Sequence, residues 1–354
     1  MYETITRTGK EIFKSAIRLE PTERVPVIIL SGGVWAFNQK GLSLQDSFDM
    51  PPEESADYII EMNKKVRSDL IWCAAGCNHL VLRALGAKSK FKKVGKAADV
   101  KPMITSPKEV DKLNPDRIKE DPGIIAMVEC TKILKKKIGD QTMLGVSQWG
   151  LMTLASLMMG TTEFMIGLMK DKEGMEYLME FTRELVVTYW KLFADAGVEH
   201  VSQAEPVASG DMISRAMFEE FALPHLQYTN NKIKDSVFSK MIHICGNTEN
   251  LFPVLPETGT DMFSMDWKTS LKKAREELGG KIAFAGQVDP SNVMLLSDES
   301  TVKEKAEECI RDARWEQGGY VLMPGCDLAP ETPMSHLNAM MDVAYGHTQE
   351  ITTK

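Results

Sequence analysis

Two periodicities alternate along this chain. Short apolar runs bounded by Gly- and Pro-containing turns read as buried strands, and longer stretches with apolar positions every three or four residues read as amphipathic helices. Residues 4–19 carry Ile5, Ile12, Phe13, Ala16, Ile17 and Leu19 on a helical stripe that stops at Glu20-Pro21. Arg24–Leu30 reads as a first buried strand, residues 51–66 as an amphipathic helix and Leu70–Cys73 as a second strand. Residues 87–122 are polar; they predict a small strand pair (91–94 with 101–104) and a helix starting near Pro107. Beyond them the alternation is regular. Strands are predicted at 142–146, 198–205, 237–242, 262–266, 282–285 and 320–324, with helices at 123–138, 152–159, 161–170, 172–196, 214–234, 270–278, 300–316 and 334–345.

About eight strands alternating with helices, without a Pro/Ser-rich linker or a repeat of fixed period, predict a parallel sheet closed on itself. The fold expected is therefore α/β: a single (β/α)8 TIM barrel over residues 1–354, with an N-terminal helical extension (1–20) packing on the barrel. In such a barrel, chemistry belongs to the segments that follow strands.

Composition narrows the function. Of 354 residues, 43% are hydrophobic and 26% charged, as in an ordinary globular protein; the net charge of -8 argues against nucleic acid and anionic membrane surfaces. Lys135-Lys136-Lys137 reads as a solvated helix face. There is no apolar run of membrane-spanning length and no signal-peptide core, so a cytoplasmic protein with no membrane partner is expected. Six cysteines in so long a chain suggest reduced thiols rather than a disulfide framework. The 23 methionines are adaptable core filler or the lining of a site for a flat apolar ligand. Neither a dinucleotide fingerprint nor a Walker A loop nor a G-x-S-x-G elbow is present.

The chemistry is carried by His243-Ile244-Cys245-Gly246 and, in the last third, Gly325-Cys326-Asp327. Residues two apart on a strand point to one side, so two strand ends can deliver an imidazole and two thiolates to one point. Ligands of types N, S and S with a fourth position open are the pattern of a catalytic zinc; buried core cysteines beside a satisfied histidine are the alternative. Cys73-x3-Cys77-x-His79 is a second thiol/imidazole cluster, and the apolar run after it favours buried structure. Glu205 and Asp266 stand at strand ends, placed for catalytic acid work or ligation, or else for capping the next loop or helix. Trp35, Trp149, Met152 and Gln203 are the candidate substrate-binding residues, with Trp72 also on the supposed rim.

The segments Arg24-Val25-Pro26-Val27, Trp149-Gly150 to Gly160, Gln203 to Ser209, Gly286-Gln287-Val288-Asp289-Pro290 and Gly318-Gly319-Tyr320 resemble the uroporphyrinogen decarboxylase superfamily over essentially the whole chain. The resemblance implies a (β/α)8 barrel. Within the superfamily, His243-x-Cys245 with Cys326 is similar to the corrinoid methyltransferase branch, where such a triad binds zinc. The decarboxylase branch has an Arg-Gln-Ala-Gly-Arg type segment after the first strand, where this chain reads Ser31-Gly32-Gly33-Val34-Trp35-Ala36, and Gly-His where this chain has Gly325-Cys326. The methyltransferases tend to carry Asp before Pro-Val-Ala-Ser, where this chain has Glu205.

The resemblance implies zinc-dependent methyl transfer between a small molecule and a separate corrinoid protein. The cobalamin comes from that partner, because this chain has no Asp-x-His-x-x-Gly module. The Trp and Met residues of the supposed rim favour O-demethylation of methoxylated aromatic compounds. Methyl transfer from the corrinoid to coenzyme M or a folate-type acceptor is the close alternative. A uroporphyrinogen-type decarboxylase and a non-catalytic zinc barrel with four protein ligands are the more distant ones.

Overall fold

The computed structural model describes residues 7–30, 32–73, 79–92 and 98–351. After strand β1 (Leu70–Trp72) comes a small antiparallel pair, β2 (Ser89–Phe91) and β3 (Ala98–Val100). Then follow β4 (Met143–Trp149), β5 (His200–Ala204), β6 (Ser239–Ile244), β7 (Met262–Met265), β8 (Ala283–Val288) and β9 (Tyr320–Pro324), alternating with helices. Seven strands form one parallel sheet in the order β1-β4-β5-β6-β7-β8-β9.

The segment before β1 closes that sheet. Ile28 donates its backbone N–H to Leu322 of β9, and Leu322 donates to Pro26; on the other side Asp69 donates to Val27. A strand was expected at Arg24–Leu30. The chain is extended there, but the ladder is reduced to isolated bridges, because Pro26 has no N–H to give. With this eighth element the architecture is the α/β barrel that the alternation predicts.

The interior is filled by alternate residues of each strand. Ile28, Leu30, Leu70, Trp72, Met143, Met241, Met262, Val321 and Met323 form one cluster with Phe13, Ala16 and Ile17. The last three lie on the helix Gly9–Ile17, which starts with a Thr8/Glu11 capping box and plugs the N-terminal end of the barrel. His200 lies in this interior between the rings of Phe13 and Trp72, at 5.4 and 5.7 Å, with its Nδ1 2.7 Å from Ser239 Oγ. Burial, and then nearby Lys240, push its pKa down to about 3, so it is neutral.

Several elements depart from the periodicity. The helix expected over 214–234 is interrupted: helical turns at Arg215–Met217 pass through a π turn, Phe218–Ala222, into Leu223–Ile233. Pro224 explains this, since its ring would clash in a regular helix, and the Leu223 N–H bonds instead to the Phe218 carbonyl. The predicted strand pair lies a few residues earlier than expected, and 93–97 fall outside the described residues. β8 runs on through Gly286-Gln287-Val288, which were expected to end it. Short helices at Gly32–Asn38 and Leu80–Ala84 were not anticipated. Among the described residues no single helix is long and apolar enough to cross a membrane.

Two charge clusters hold the N-terminal part to the barrel. Arg24 grips Asp69 with two bonds, Nη1 to Oδ2 at 2.8 Å and Nη2 to Oδ1 at 2.5 Å; Asp69 Oδ2 also accepts from the Val27 N–H. Both side chains are buried, and the guanidinium stacks on Tyr345. Removing one partner strands the other without solvent, so Asp69→Ala should cost about 3–5 kcal/mol in urea unfolding, and an exposed pair such as Lys65–Glu61 under 1 kcal/mol.

At the second cluster Lys10, Lys14 and Lys135 converge on Glu199 at 2.5, 2.9 and 3.1 Å. Burial raises the Glu199 pKa, but the three lysines outweigh it and hold the carboxyl at about 2, below the usual 4.5. A depressed folded pKa stabilises above the ordinary value and is lost as pH falls. Glu199→Gln should therefore lower stability at pH 7 and flatten the loss of stability between pH 4.5 and 2, read by unfolding across that range.

Candidate metal centre

β6 and β9 bring the expected triad together. His243 is on β6, Cys245 one residue past its end, and Cys326 two residues past β9. His243 Nε2 lies 3.2 Å from Cys245 Sγ and 3.7 Å from Cys326 Sγ, and the two sulfurs are 3.7 Å apart. The three ligand atoms fall within 4.8 Å of one another, the spacing of donors around a single ion. The other cysteines among the described residues differ. Cys73, Cys130 and Cys309 are buried, and burial pushes their thiols up, Cys130 and Cys309 to about 11, which makes them inert. Cys245 and Cys326 are half-buried and reachable.

Neighbouring strands orient the imidazole. Parallel pairing sets His243 of β6 opposite Ser264 of β7, and Ser264 Oγ is 2.8 Å from His243 Nδ1. A proton on Nδ1 donated to that hydroxyl leaves the Nε2 lone pair turned to the sulfurs, as a metal-binding histidine requires. Two thiolates and one imidazole suit a borderline-soft ion such as zinc and leave a fourth position to an exchangeable ligand. Ser264 was not singled out in the sequence. Its signal is its place two residues before Asp266 on the adjacent strand.

Asp266 lies beside the triad as a support. Its Oδ2 accepts from the Gly246 N–H at 3.0 Å and its Oδ1 from the Lys268 N–H at 3.0 Å, fixing the turn after Cys245. Gly246 adopts φ +79°, a conformation that strains any residue with a Cβ, and a Cβ there would also press on Asp211 Oδ2 at 2.4 Å. Glu205 is tied to His243 by its backbone N–H, which donates to the His243 carbonyl. Its carboxylate caps the helix Leu151–Met159, accepting from the N–H groups of Met152 and Thr153 and from Thr153 Oγ1. Burial raises its pKa to about 7 against these bonds. Both acids thus hold backbone.

The candidate substrate residues are spread out. Trp149 ends β4 in the register layer of Ala204 and His243, half-buried, with its indole 5.8 Å from the His79 ring. Met152 is buried in the helix Leu151–Met159 that follows β4. Gln203 was expected at the substrate, but its Nε2 faces Thr229 of the surrounding helix at 3.4 Å, because alternation turns odd-numbered β5 residues outward. Trp35 is buried too, its indole N–H donating to the Thr332 carbonyl, and Trp72 donates to Ile29 inside the barrel. Of the second cluster, Cys77 lies outside the described residues.

Residues 8–347 match the family model described as Uroporphyrinogen decarboxylase (URO-D). The chain belongs to the URO-D family. Its relatives include the Methylcobamide:CoM methyltransferase MtbA of Methanosarcina mazei, 26% identical over 95% of this chain and 97% of the relative. Another is the Methylcobamide:CoM methyltransferase MtaA of Methanosarcina barkeri, 25% identical over 94% and 96%. A solved methyltransferase from Methanosarcina mazei superposes with a TM-score of 0.83 at 23% identity, covering 96% of this chain and 99% of that one, so the URO-D barrel fold is shared throughout.

If the triad is a metal centre, the purified protein should carry about one zinc per chain by elemental analysis, lost in Cys245→Ala and in Cys326→Ala. Ser264→Ala should keep the ligands but weaken retention about 10- to 100-fold against a competing chelator.

Proposed function

We propose that this chain is a zinc-dependent methyltransferase that moves a methyl group from a methylated corrinoid, carried by a separate protein, to the sulfur of a small thiol of the coenzyme M type. The observation that carries the reading is the convergence of His243, Cys245 and Cys326 at a reachable point on the barrel's C-terminal face. The names of the Methanosarcina relatives support the direction of transfer and the acceptor. The free cysteines suit a reducing cytoplasm.

A zinc ion held there supplies Lewis acidity, which lowers the pKa of an acceptor thiol. The chain does the positioning. Ser264 holds the imidazole tautomer, Asp266 holds the turn that carries Cys245, and Glu205 anchors the β4 loop beside the site. In the transfer the acceptor loses its proton to solvent, a carbon–sulfur bond forms and the carbon–cobalt bond breaks. Both electrons of that bond stay on cobalt, which passes from Co(III) to Co(I).

Demethylation of methoxylated aromatics was the leading expectation from the sequence, and transfer to a thiol its alternative. It rested on an aromatic and Met-rich rim, and the burial of Trp35, Trp72 and Met152 in the core takes that support away. Tetrapyrrole decarboxylation fits less well, since Cys326 stands where the decarboxylase pattern has histidine. The two methyl-transfer readings part in one assay. Zinc-loaded protein with methylcobalamin and 2-mercaptoethanesulfonate should generate the cob(I)alamin spectrum with equal loss of thiol, and cob(I)alamin with a dimethoxybenzoate should not react. The opposite pattern would exchange the readings, and activity untouched in Cys245→Ser would exclude both.

A further inference from the structure

Two residues with exposed, large apolar side chains adjoin the turns that carry the thiols. Trp267 is 42% exposed and Met212 45%. Both belong to segments that follow strands, Trp267 after β7 and Met212 after β5. Trp267 abuts the neighbour of Cys326: a Cβ on Gly325 would lie 2.6 Å from the Trp267 backbone nitrogen. Met212 follows Asp211, whose Oδ2 accepts from the Asn247 N–H at 3.2 Å and crowds Gly246, the neighbour of Cys245. The two residues therefore flank the turns that carry the two thiols, Trp267 beside Gly325 and Met212 next to the Asp211 that touches Gly246. Polar groups edge the same surface, with Lys268 Nζ 3.7 Å from Asp211 Oδ2 and both side chains half exposed.

We propose that Trp267 and Met212 form the seat on which the corrin macrocycle of the methyl donor lies. The proposal rests on the methyl-transfer reading above. For transfer, the methyl carbon must come within about 3–3.5 Å of the acceptor sulfur, in line with the carbon–cobalt bond. The methyl group stands on one face of a broad, flat ring, so that face has to spread over the mouth and over the side chains that rim it. A corrin is apolar on its faces and fringed with amides. An indole and a thioether offer rigid and adaptable apolar contact to the face, and Asp211, Lys268 and Asn247 offer hydrogen bonds to the fringe.

Free methylcobalamin is the probe. A corrin that covers an indole quenches its fluorescence, so titrating the zinc-loaded protein should give saturable quenching. Trp267→Phe should lose the Trp267 share of that amplitude. Trp267→Ala and Met212→Ala should each raise the KM for methylcobalamin roughly tenfold, with zinc content and the KM for the thiol unchanged. Equal quenching in wild type and Trp267→Phe, or an unchanged methylcobalamin KM in both alanine variants, would overturn the seat. Saturable quenching lost in Trp267→Phe, in a wild-type protein that moves no methyl group, would uphold the seat and sink the methyl-transfer reading instead.

Discussion

The register of parallel strands β6 to β9 is what the centre depends on. His243 is paired with Ser264, and Ser264 with Ala285, so all three side chains face the barrel interior in one layer. A slip of one residue in β6 would turn His243 and Cys245 outward together, since side chains alternate with period two. The register is held from beneath by interior packing of Met241, Met262, Ala283 and Val321 against the N-terminal helix. It is held at the seam by the Arg24–Asp69 pair, which joins the extended closing segment to β1. Stability at the N-terminal end thereby serves placement at the C-terminal end, the division of labour usual in barrels of this kind.

Around the triad, fixed backbone does most of the work. Asp266 and Glu205 spend their oxygens on N–H groups of turns, and Gly246 and Gly150 exist because side chains crowd them; a Cβ on Gly150 would lie 2.3 Å from the Glu205 carboxyl carbon. Under the metal-centre reading proposed above, the donors are set before any ion arrives, which reduces the ordering cost of binding. The two thiols stay half-buried where β6 and β9 end, at the barrel's C-terminal face.

Much of this was legible in the chain. Strand–helix alternation gives the barrel, and His-x-Cys with a second strand-end cysteine gives the triad, because both depend on local periodicity and on chemistry that few residue types supply. What local pattern does not carry was harder to read. Pro26 turns an expected strand into isolated bridges, and Pro224 turns an expected helix into one with a π turn. Gln203 shares a strand with inward residues but faces a helix, which only its parity along β5 reveals. Ser264 contributes through a neighbour distant in sequence, so no motif contains it. Trp35 and Trp267 are the same residue type, yet the first is buried in the core and the second is exposed on the segment after β7.

The account turns on an open coordination position facing the mouth. X-ray absorption at the zinc edge tests it most directly, on zinc-loaded protein before and after addition of 2-mercaptoethanesulfonate. The account predicts two sulfurs at about 2.3 Å with one imidazole and one light ligand, becoming three sulfurs and one imidazole with the thiol. A first shell of four protein ligands that the thiol leaves unchanged would contradict it.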